Sequence, residues 1–247
     1  MENIIELSIL MPTRGRAIRV LNLFENILKT AEIPSRIELV IYVDEDDIPS
    51  HNLTHPMLSI TRLVRSRKTM GEMLRACYEK SRGDYILVIG DDNLFRTSGW
   101  DRLILDAFTH FPDGIALVYG DDLIQGRNMC TAPAFSRKTC ELLGGPCPSE
   151  YSAEFIDTHI LDLFTKLRCW GYDRIIYLEN LVIEHMHHIV GKSEYDETYA
   201  HQNTTEENRN RYFRLDGLRV AQAKKLVNYM ASMPDAEKYK CYRNAIC

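Results

Sequence analysis

Short apolar runs alternate with helix-like stretches along the first half of the chain. Strands are predicted at residues 5–11, 37–43, 60–64, 84–89 and 115–119. Between them, apolar residues recur at helical spacing at residues 17–30, 70–81 and 100–111. Several of the strand runs are apolar almost throughout, which is typical of strands buried on both faces. The alternation therefore predicts an α/β fold with a mostly parallel sheet flanked by helices.

The pattern changes after about residue 120, where the alternation ends. The later elements predicted are a Gly- and Pro-rich loop, a helix, two short strands, a polar loop and a long closing helix bent at Gly217, at residues 144–148, 153–170, 174–178, 181–185, 189–203 and 205–230. We therefore expect a single domain over residues 1–203, with a C-terminal helical extension over residues 204–247 packed on the same domain.

The composition is that of an ordinary globular protein, with 45% hydrophobic and 26% charged residues. The net charge of −5 gives no overall attraction to nucleic acid. Seven cysteines without C-x-x-C spacing favour reduced thiols over a disulfide framework or a structural zinc site. The sequence has neither a signal-peptide pattern nor an apolar run near the roughly 20 residues of a membrane span. We therefore expect a cytoplasmic protein, in the host cytoplasm if it is viral.

Three predicted strands end in acidic clusters, at residues 44–47, 91–93 and 121–122. Each cluster alone is explained by a solvated turn. Together they matter more, because ligands of parallel sheets bind beyond the carboxyl ends of the strands. Like charges held close repel unless a cation or a proton relieves them. The clusters therefore predict a bound divalent metal ion.

A histidine-rich run at residues 184–188 supplies further candidate ligands. On a strand, His185 and His187 point to the same face. An ordinary core or surface histidine is the alternative for each of them. Carboxylate or amide oxygens with one imidazole suit Mn²⁺ or Mg²⁺. We expect Asp92 to bind the metal, helped by Asn93 or a histidine, with His187 ranked slightly above His185.

Five motifs follow one another in an order that is more specific than any motif alone. They are a Pro-Thr-x-x-Arg turn at 12–16, a strand ending in acidic residues at 43–46, a Gly-Asp-Tyr-Ile strand leading to Asp-Asp-Asn over 83–93, a Gly-Gly pair ahead of an acidic helix over 144–157, and a glycine turn leading to a late histidine over 171–187. In this order they resemble the family-2-like glycosyltransferases of the GT-A fold. The metal motif departs from Asp-x-Asp, and the usual Glu-Asp pair of the catalytic helix is missing.

The resemblance implies a GT-A-like domain that takes a sugar, a hexose or a pentose, from a nucleotide-sugar, with a UDP-sugar expected. The residues that it assigns to the nucleotide-sugar are Pro12, Thr13, Arg14, Arg16, Asp44, Asp46, Arg67 and Asp91. It places the catalytic base on the acidic helix, at Asp157 or Glu154, of which we favour Asp157. An exposed acid or a helix cap is the alternative for Asp157.

The chemistry of sugar transfer fits this set of residues. A metal ion stabilises the departing diphosphate as a Lewis acid, and Arg14 or Arg16 could help at the phosphates. A carboxylate takes the proton of the acceptor hydroxyl, and direct attack inverts the anomeric centre. A two-metal phosphoesterase and a non-catalytic nucleotide-binding protein remain open, because the fold alone does not separate them. A sugar-nucleotide pyrophosphorylase would share the fold, but its glycine-rich first loop is not visible in this sequence.

Local clusters of basic residues bear on the acceptor. They lie before the second helix and along the closing helix, at Arg62, Arg65, Arg67, Lys68, Arg209, Arg211, Arg214, Arg219, Lys224 and Lys225. They are either solvated faces or a track for a phosphate backbone. Small stand-alone enzymes that resemble this chain occur in bacteriophages, where some glycosylate hydroxymethylated pyrimidines of viral DNA. By that analogy, hydroxymethylpyrimidine DNA is the leading acceptor candidate, with small molecules and proteins as alternatives.

Overall fold

The structure is a computed structural model that describes residues 4–200 and 205–234. Its strands are β1 (Leu7–Thr13), β2 (Ile37–Asp44), β3 (Ser59–Arg65), β4 (Tyr85–Val88), β5 (Asn93–Phe95), β6 (Leu117–Asp121), β7 (Ala134–Ser136) and β8 (Ile175–His185). Its helices are α1 (Ala17–Thr30), α2 (Met70–Lys80), α3 (Trp100–Phe108), α4 (Arg137–Leu143), α5 (Ile156–Cys169), α6 (Glu197–Ala200), α7 (Thr205–Arg214) and α8 (Asp216–Ser232). None of these helices is long and apolar enough to cross a membrane.

Within the described residues the strands form one sheet in the order β3-β2-β1-β4-β7-β6-β8-β5. Strand β1 pairs in parallel with β2 and β4, β2 pairs in parallel with β3, and β6 pairs in parallel with β8. Strand β7 runs antiparallel to β4 and β6, and β5 runs antiparallel to β8. The predicted α/β fold with a mostly parallel sheet is therefore confirmed.

Hydrophobic clusters cover both faces of the sheet. Because successive side chains of a strand point to opposite faces, Ile9 and Leu10 of β1 enter different clusters. One cluster contains Phe24 of α1 and Trp100 of α3. The other contains residues of α2, α4 and α5, together with Leu226 of α8. This packing fixes the strand ends at which the acidic clusters lie.

Strands β5 and β7 were not predicted, because three residues are too short to show periodicity. The seven-residue helix α4 was not predicted either. The two short strands predicted over residues 174–185 are one strand, β8, and the predicted polar loop contains α6. The closing helix breaks at Leu215 rather than at Gly217. There the Arg219 guanidinium binds the carbonyl of Tyr212 at 2.7 Å, which satisfies the end of α7.

The predicted boundary between residues 203 and 204 lies outside the described residues, as do residues 235–247, with Cys241 and Cys247. The division into a domain and an extension therefore stays a prediction. Helix α8 places Ala223, Leu226 and Met230 in the cluster that also holds residues of α5.

Candidate functional site

A cleft of about 630 Å³ opens at the carboxyl ends of β1, β2 and β4. Two groups of residues line it, one at the strand ends and one at the start of α5. The strand wall consists of Thr13, Arg14, Arg16, Asp44, Asp91 and Asp92. The helix wall consists of Ser152, Ala153, Glu154, Ile156 and Asp157, at the start of α5.

The start of α2 is fastened to the loop that leads into the helix wall. The Met70 and Gly71 amides donate to the carbonyls of Ser152 and Tyr151, at 3.2 and 2.9 Å. A Cβ atom on Gly71 would lie 2.1 Å from the Pro148 carbonyl oxygen, so only glycine fits this contact. The amides of the first turn of α2 thus hold protein carbonyls, and the helix wall is fixed relative to α2.

Asp44, at the end of β2, keeps one carboxylate oxygen without a hydrogen bond from any described residue. It is 3% exposed, and its Oδ2 accepts a hydrogen bond from Arg14 Nη1 at 2.8 Å. Its Oδ1 is buried without a hydrogen-bond partner in the part of the chain that the structure describes. Arg14 also forms a two-pronged pair with exposed Asp46, and these hydrogen bonds raise the pKa of Arg14. Asp44 is therefore held from one side and has one oxygen left for a ligand.

Arg16 sits in a buried network beside Asp91. Its Nη1 donates to Asp91 Oδ1 at 2.6 Å, and Thr13 donates to Asp91 Oδ2 at 2.7 Å. Its Nε and Nη2 donate to the two carboxylate oxygens of Asp196, at 2.7 and 3.0 Å. Burial raises the pKa of Asp91, and the charge of Arg16 opposes that rise. Both Arg14 and Arg16, predicted to help at the phosphates, thus already bind protein carboxylates.

Asp92 meets the late histidines through His185. Its Oδ2 lies 3.5 Å from His185 Nε2 and accepts a hydrogen bond from the Tyr199 hydroxyl at 2.8 Å. Although burial opposes the shift, the contact with His185 lowers the pKa of Asp92 to about 2. Burial also opposes the rise in the pKa of His185, which the contact with Asp92 produces. The carboxylate and the imidazole form one polar pair in the cleft.

The other predicted metal ligands lie beside this pair and make hydrogen bonds of their own, with the His187 ring centroid 5.0 Å from that of His185. The Asn93 side-chain oxygen accepts the Gly90 amide at 2.7 Å. His187 Nδ1 accepts the Ile189 amide at 3.3 Å, and burial lowers its pKa. Both residues still line the cleft. His185, ranked second on sequence, is thus the histidine beside Asp92.

The residues present fit a divalent cation with few protein ligands. Within the described residues, no group of three or more His, Cys, Asp or Glu side chains is arranged to hold a metal. One carboxylate and one imidazole, Asp92 and His185, do line the same cleft. Mg²⁺ in particular often takes one or two carboxylates and completes its shell with substrate phosphates and water. A metal site here would therefore depend on a bound diphosphate.

The helix wall carries both candidates for the base. Asp157 lies in the first turn of α5, and burial raises its pKa. Glu154 lies two residues before α5, with Asn208 Nδ2 at 3.5 Å from its Oε2. Between them, Phe155 has a left-handed backbone with φ of 69°, and its ring packs 5.5 Å from that of Tyr212 in α7. The left-handed turn at Phe155, which precedes Asp157 in the cleft, is thus packed against Tyr212 of α7.

A neutral buried network supports the helix wall from behind. His159 is 2% exposed; its Nδ1 lies 3.0 Å from the Tyr151 hydroxyl and its Nε2 lies 3.0 Å from Gln222 Oε1. Burial lowers the pKa of His159 to about 4. Neutral His159 therefore links the loop before α5 to α8.

The third acidic cluster does not join the cleft as predicted. Asp122 Oδ1 accepts the backbone amides of residues 124–126, and Asp121 Oδ1 accepts the Leu123 amide. These side chains close the turn after β6. The Asp122 carbonyl binds the His185 amide at 3.1 Å, so this turn positions the end of β8.

The two basic clusters differ in the structure. On the closing helices, Arg219 is 2% exposed and ion-paired with Asp162, so it cannot face a nucleic acid. Arg211 binds Glu207 and Asn208. The other basic residues of the closing helices are exposed: Arg209, Arg214, Lys224 and Lys225. The exposed residues Arg65, Arg67 and Lys68 lead from edge strand β3 to the cleft, which Arg67 and Lys68 line.

Several residues of the cleft were not predicted from the sequence. They are Lys68, Thr69, Met70, Met73, Thr131, Ser152 and Tyr199. Lys68 and Thr69 directly follow Arg67, which the sequence assigned to the nucleotide-sugar, so their position next to Arg67 could have indicated that they line the cleft. Tyr199 lies in a polar stretch without periodicity, and no sequence signal connects it to the strand ends.

No family model matches the chain, and no curated protein matches it. Solved structures do. A mannosyltransferase from Pyrobaculum calidifontis, solved with GDP-Man and Mn²⁺, matches with a TM-score of 0.56 and 15% identity over 94% of this chain and 77% of that one. Residues 1–349 of TarS from S. aureus, solved with UDP-GlcNAc, match with a TM-score of 0.51 and 13% identity over 93% and 82%. The chain spans 50% of a longer TarS structure.

At these identities the comparisons establish the fold. The chain has the GT-A-type fold of these glycosyltransferases, as the order of its sequence motifs predicted.

Proposed function

We propose that the protein is a metal-dependent, inverting glycosyltransferase that uses a UDP-sugar. The observation that carries the proposal is the content of one cleft: the unpartnered carboxylate oxygen of Asp44, the Asp92–His185 pair and the carboxyl group of Asp157, whose pKa is raised. These are an acceptor for a base N–H group, a place for a cation and a candidate proton acceptor. The matching structures support it, since their titles name GDP-Man with Mn²⁺ and UDP-GlcNAc.

The unpartnered Oδ1 of Asp44 supports a nucleotide-sugar whose base is a pyrimidine with a ring N–H group. An ionised carboxylate only accepts hydrogen bonds, so its ligand must donate. Uracil offers a single imino N–H group, which matches the one free oxygen. Guanine presents neighbouring imino and amino donors, but Arg14 already occupies the second oxygen of Asp44. Arg67, whose Nε lies 3.9 Å from Asp44 Oδ2, stands at the same place.

Asp92 and His185 would hold the divalent cation, with Asn93 and His187 nearby. When bound, such a cation supplies Lewis-acid stabilisation of the departing diphosphate. Arg67 and Lys68 add exposed positive charge on the cleft lining. Arg16 neutralises Asp91, so that the adjacent carboxylate of Asp92 is not opposed by a second free charge.

Asp157 is proposed as the base. A carboxyl group with a raised pKa is a stronger proton acceptor than an ordinary aspartate, once ionised. It would take the proton from the acceptor hydroxyl as the oxygen attacks the anomeric carbon and the bond to the diphosphate breaks. One displacement of this kind inverts the anomeric centre. Glu154 is the second candidate for the same role.

The leading acceptor in this proposal is a hydroxymethylpyrimidine in DNA. The exposed cations at Arg65, Arg67 and Lys68 support it, because they provide a path for a phosphate backbone to the cleft. The target base would have to be flipped out or approached in the major groove. A small-molecule or protein acceptor is the alternative.

One experiment tests the proposal. The protein is incubated with a panel of nucleotide-sugars, Mn²⁺ and either hydroxymethylated or unmodified DNA duplexes, and released nucleoside diphosphate and modified nucleosides are measured. We expect UDP release, with sugar mass added only to the hydroxymethylated duplex. Equal UDP release on both duplexes without added mass would reject DNA. Release of phosphate from simple esters would favour a phosphoesterase, and donor binding without any turnover would favour a non-catalytic protein.

A further inference from the structure

The segment after β8 folds back onto the strand wall, where Tyr199 of α6 contacts Arg16 and Asp92. The ring of Tyr199 is 4% exposed and lies under the Arg16 guanidinium, 4.3 Å from ring centroid to Cζ. Its hydroxyl donates to Asp92 Oδ2 at 2.8 Å. Asp196, three residues earlier, holds Arg16 through two hydrogen bonds and accepts the Tyr199 amide at 3.1 Å.

We propose that Tyr199 is a positioning residue that holds the Asp92 carboxylate for the cation; this inference rests on the proposed function. A carboxylate oxygen has more than one acceptor site, so Asp92 Oδ2 can accept the Tyr199 hydroxyl and still bind a cation. A carboxylate fixed in advance loses less freedom on binding than one that rotates. Hydrogen bonds from behind a metal ligand act in this way in other proteins.

The contacts around Tyr199 explain why its hydroxyl stays in place. The ring stacks on a guanidinium that is itself fixed by Asp91 on one side and Asp196 on the other. Arg16 Nη1 is also 3.7 Å from Asp92 Oδ2, so the same cation faces both neighbouring carboxylates. Arg16 therefore holds the parts of the site together, a different task from the phosphate contact expected from sequence.

The Tyr199 hydroxyl would have the opposite effect if it hindered metal binding. If the Tyr199 hydroxyl occupied the position of the cation, it would compete with metal binding, and its removal would strengthen that binding. The two roles predict opposite signs for the same measurement.

The test is the Tyr199→Phe substitution, which keeps the ring on Arg16 and removes only the hydroxyl. Mn²⁺ binding is measured by electron paramagnetic resonance in the presence of UDP, without turnover. We expect roughly 10- to 100-fold weaker Mn²⁺ binding, the usual loss when such a supporting hydrogen bond is removed. UDP binding without metal, measured by calorimetry, should be unchanged. Asp196→Asn should weaken Mn²⁺ binding in the same direction by a smaller factor.

Tyr195→Phe is the matched control. Tyr195 lies in the same segment, is 59% exposed and has no hydrogen bond to Asp92. It should bind Mn²⁺ as the wild type does. Unchanged or tighter Mn²⁺ binding by Tyr199→Phe would overturn the inference alone. If the wild type with UDP binds no Mn²⁺, the metal site of the proposed function fails as well.

Discussion

The strand wall and the helix wall of the cleft are held by different forces. Arg14 and Arg16 of the strand wall form ion pairs with five carboxylates. Behind the helix wall, the Tyr151–His159–Gln222 network is neutral and buried. Arginine remains charged at any ordinary pH, whereas buried His159 is neutral and its pKa is lowered to about 4. We therefore expect the neutral network behind the helix wall to lose stability as pH falls below about 6.5, where the unfolded chain begins to bind a proton that folded His159 excludes.

The largest expected effect comes from removing the divalent cation proposed for the strand wall. Exhaustive chelation should abolish UDP release, because the departing diphosphate loses its Lewis acid. Adding Mn²⁺ or Mg²⁺ should restore turnover, while a chelator already saturated with Ca²⁺ serves as the control. Full activity after chelation would contradict the assignment of Asp92 and His185 to a metal.

The next effect lies at the helix wall. Asp157→Asn should lower sugar transfer by roughly 10²- to 10⁴-fold, because the amide cannot take a proton, while UDP binding is retained. Glu154→Gln is the matched variant and should keep most of the activity. If Glu154→Gln is inactive and Asp157→Asn is active, Glu154 is the base. If both are active, the single-displacement mechanism is wrong.

The pH dependence of stability sharpens the comparison of the two walls. The pKa of His159 is about 4 in the folded protein, against 6.5 for an ordinary histidine. Between these values the unfolded chain binds a proton that the folded protein excludes, so stability falls as pH falls from about 6.5 to 4. The loss should reach about 3 kcal/mol, at about 1.4 kcal/mol per pKa unit.

His159→Gln should remove this part of the pH dependence in urea unfolding measured from pH 7 to pH 4. The control is His110→Gln, at an exposed position, which should leave the slope unchanged. An identical slope in wild type and His159→Gln would show that His159 does not carry the acid sensitivity of the helix wall.

The smallest effect concerns the nucleobase at the strand wall. Asp44→Asn should weaken UDP binding by roughly tenfold or more, since a hydrogen bond to a charged group contributes about 1.5–3 kcal/mol. Asp46→Asn is the comparison: the sequence also assigned Asp46 to the nucleotide-sugar, but in the structure Asp46 binds Arg14 and does not line the cleft. Thermal shifts with UDP, GDP and CDP measure both variants. A wild-type response to GDP or CDP but not to UDP would remove the uracil assignment.

The strand wall could largely be predicted from the sequence because its residues directly follow apolar strands. Asp44 and Asp91 come one to three residues after a run whose direction in a parallel sheet is known. The interruption by antiparallel β7 was not visible, because three residues carry no periodicity. The predicted fold class was still correct without β7, because the other strands and helices determine the layers of an α/β fold.

The contacts of Tyr199 and Asp196 could not be predicted in the same way. Tyr199 lies 107 residues after Asp92, and Asp196 lies 180 residues after Arg16. Both are in a polar segment where no hydrophobic pattern indicates which way a side chain points. The sequence could not decide whether His185 or His187 lies beside Asp92, for a similar reason. Both point to one face of an extended chain, and only the end of pairing between β5 and β8 at His185 separates them.

The left-handed turn at Phe155 matters for anyone who shortens this chain. Such a backbone is costly for a residue with a large side chain, and the Phe155 ring packs on Tyr212, far along the sequence. A version that stops at residue 200 would retain every proposed ligand of the nucleotide and metal. It would also lose the aromatic partner that accompanies the turn before Asp157. It would further remove Ala223, Leu226 and Met230 from the core cluster that they share with α5, so a minimal version of this chain has to keep α7 and α8.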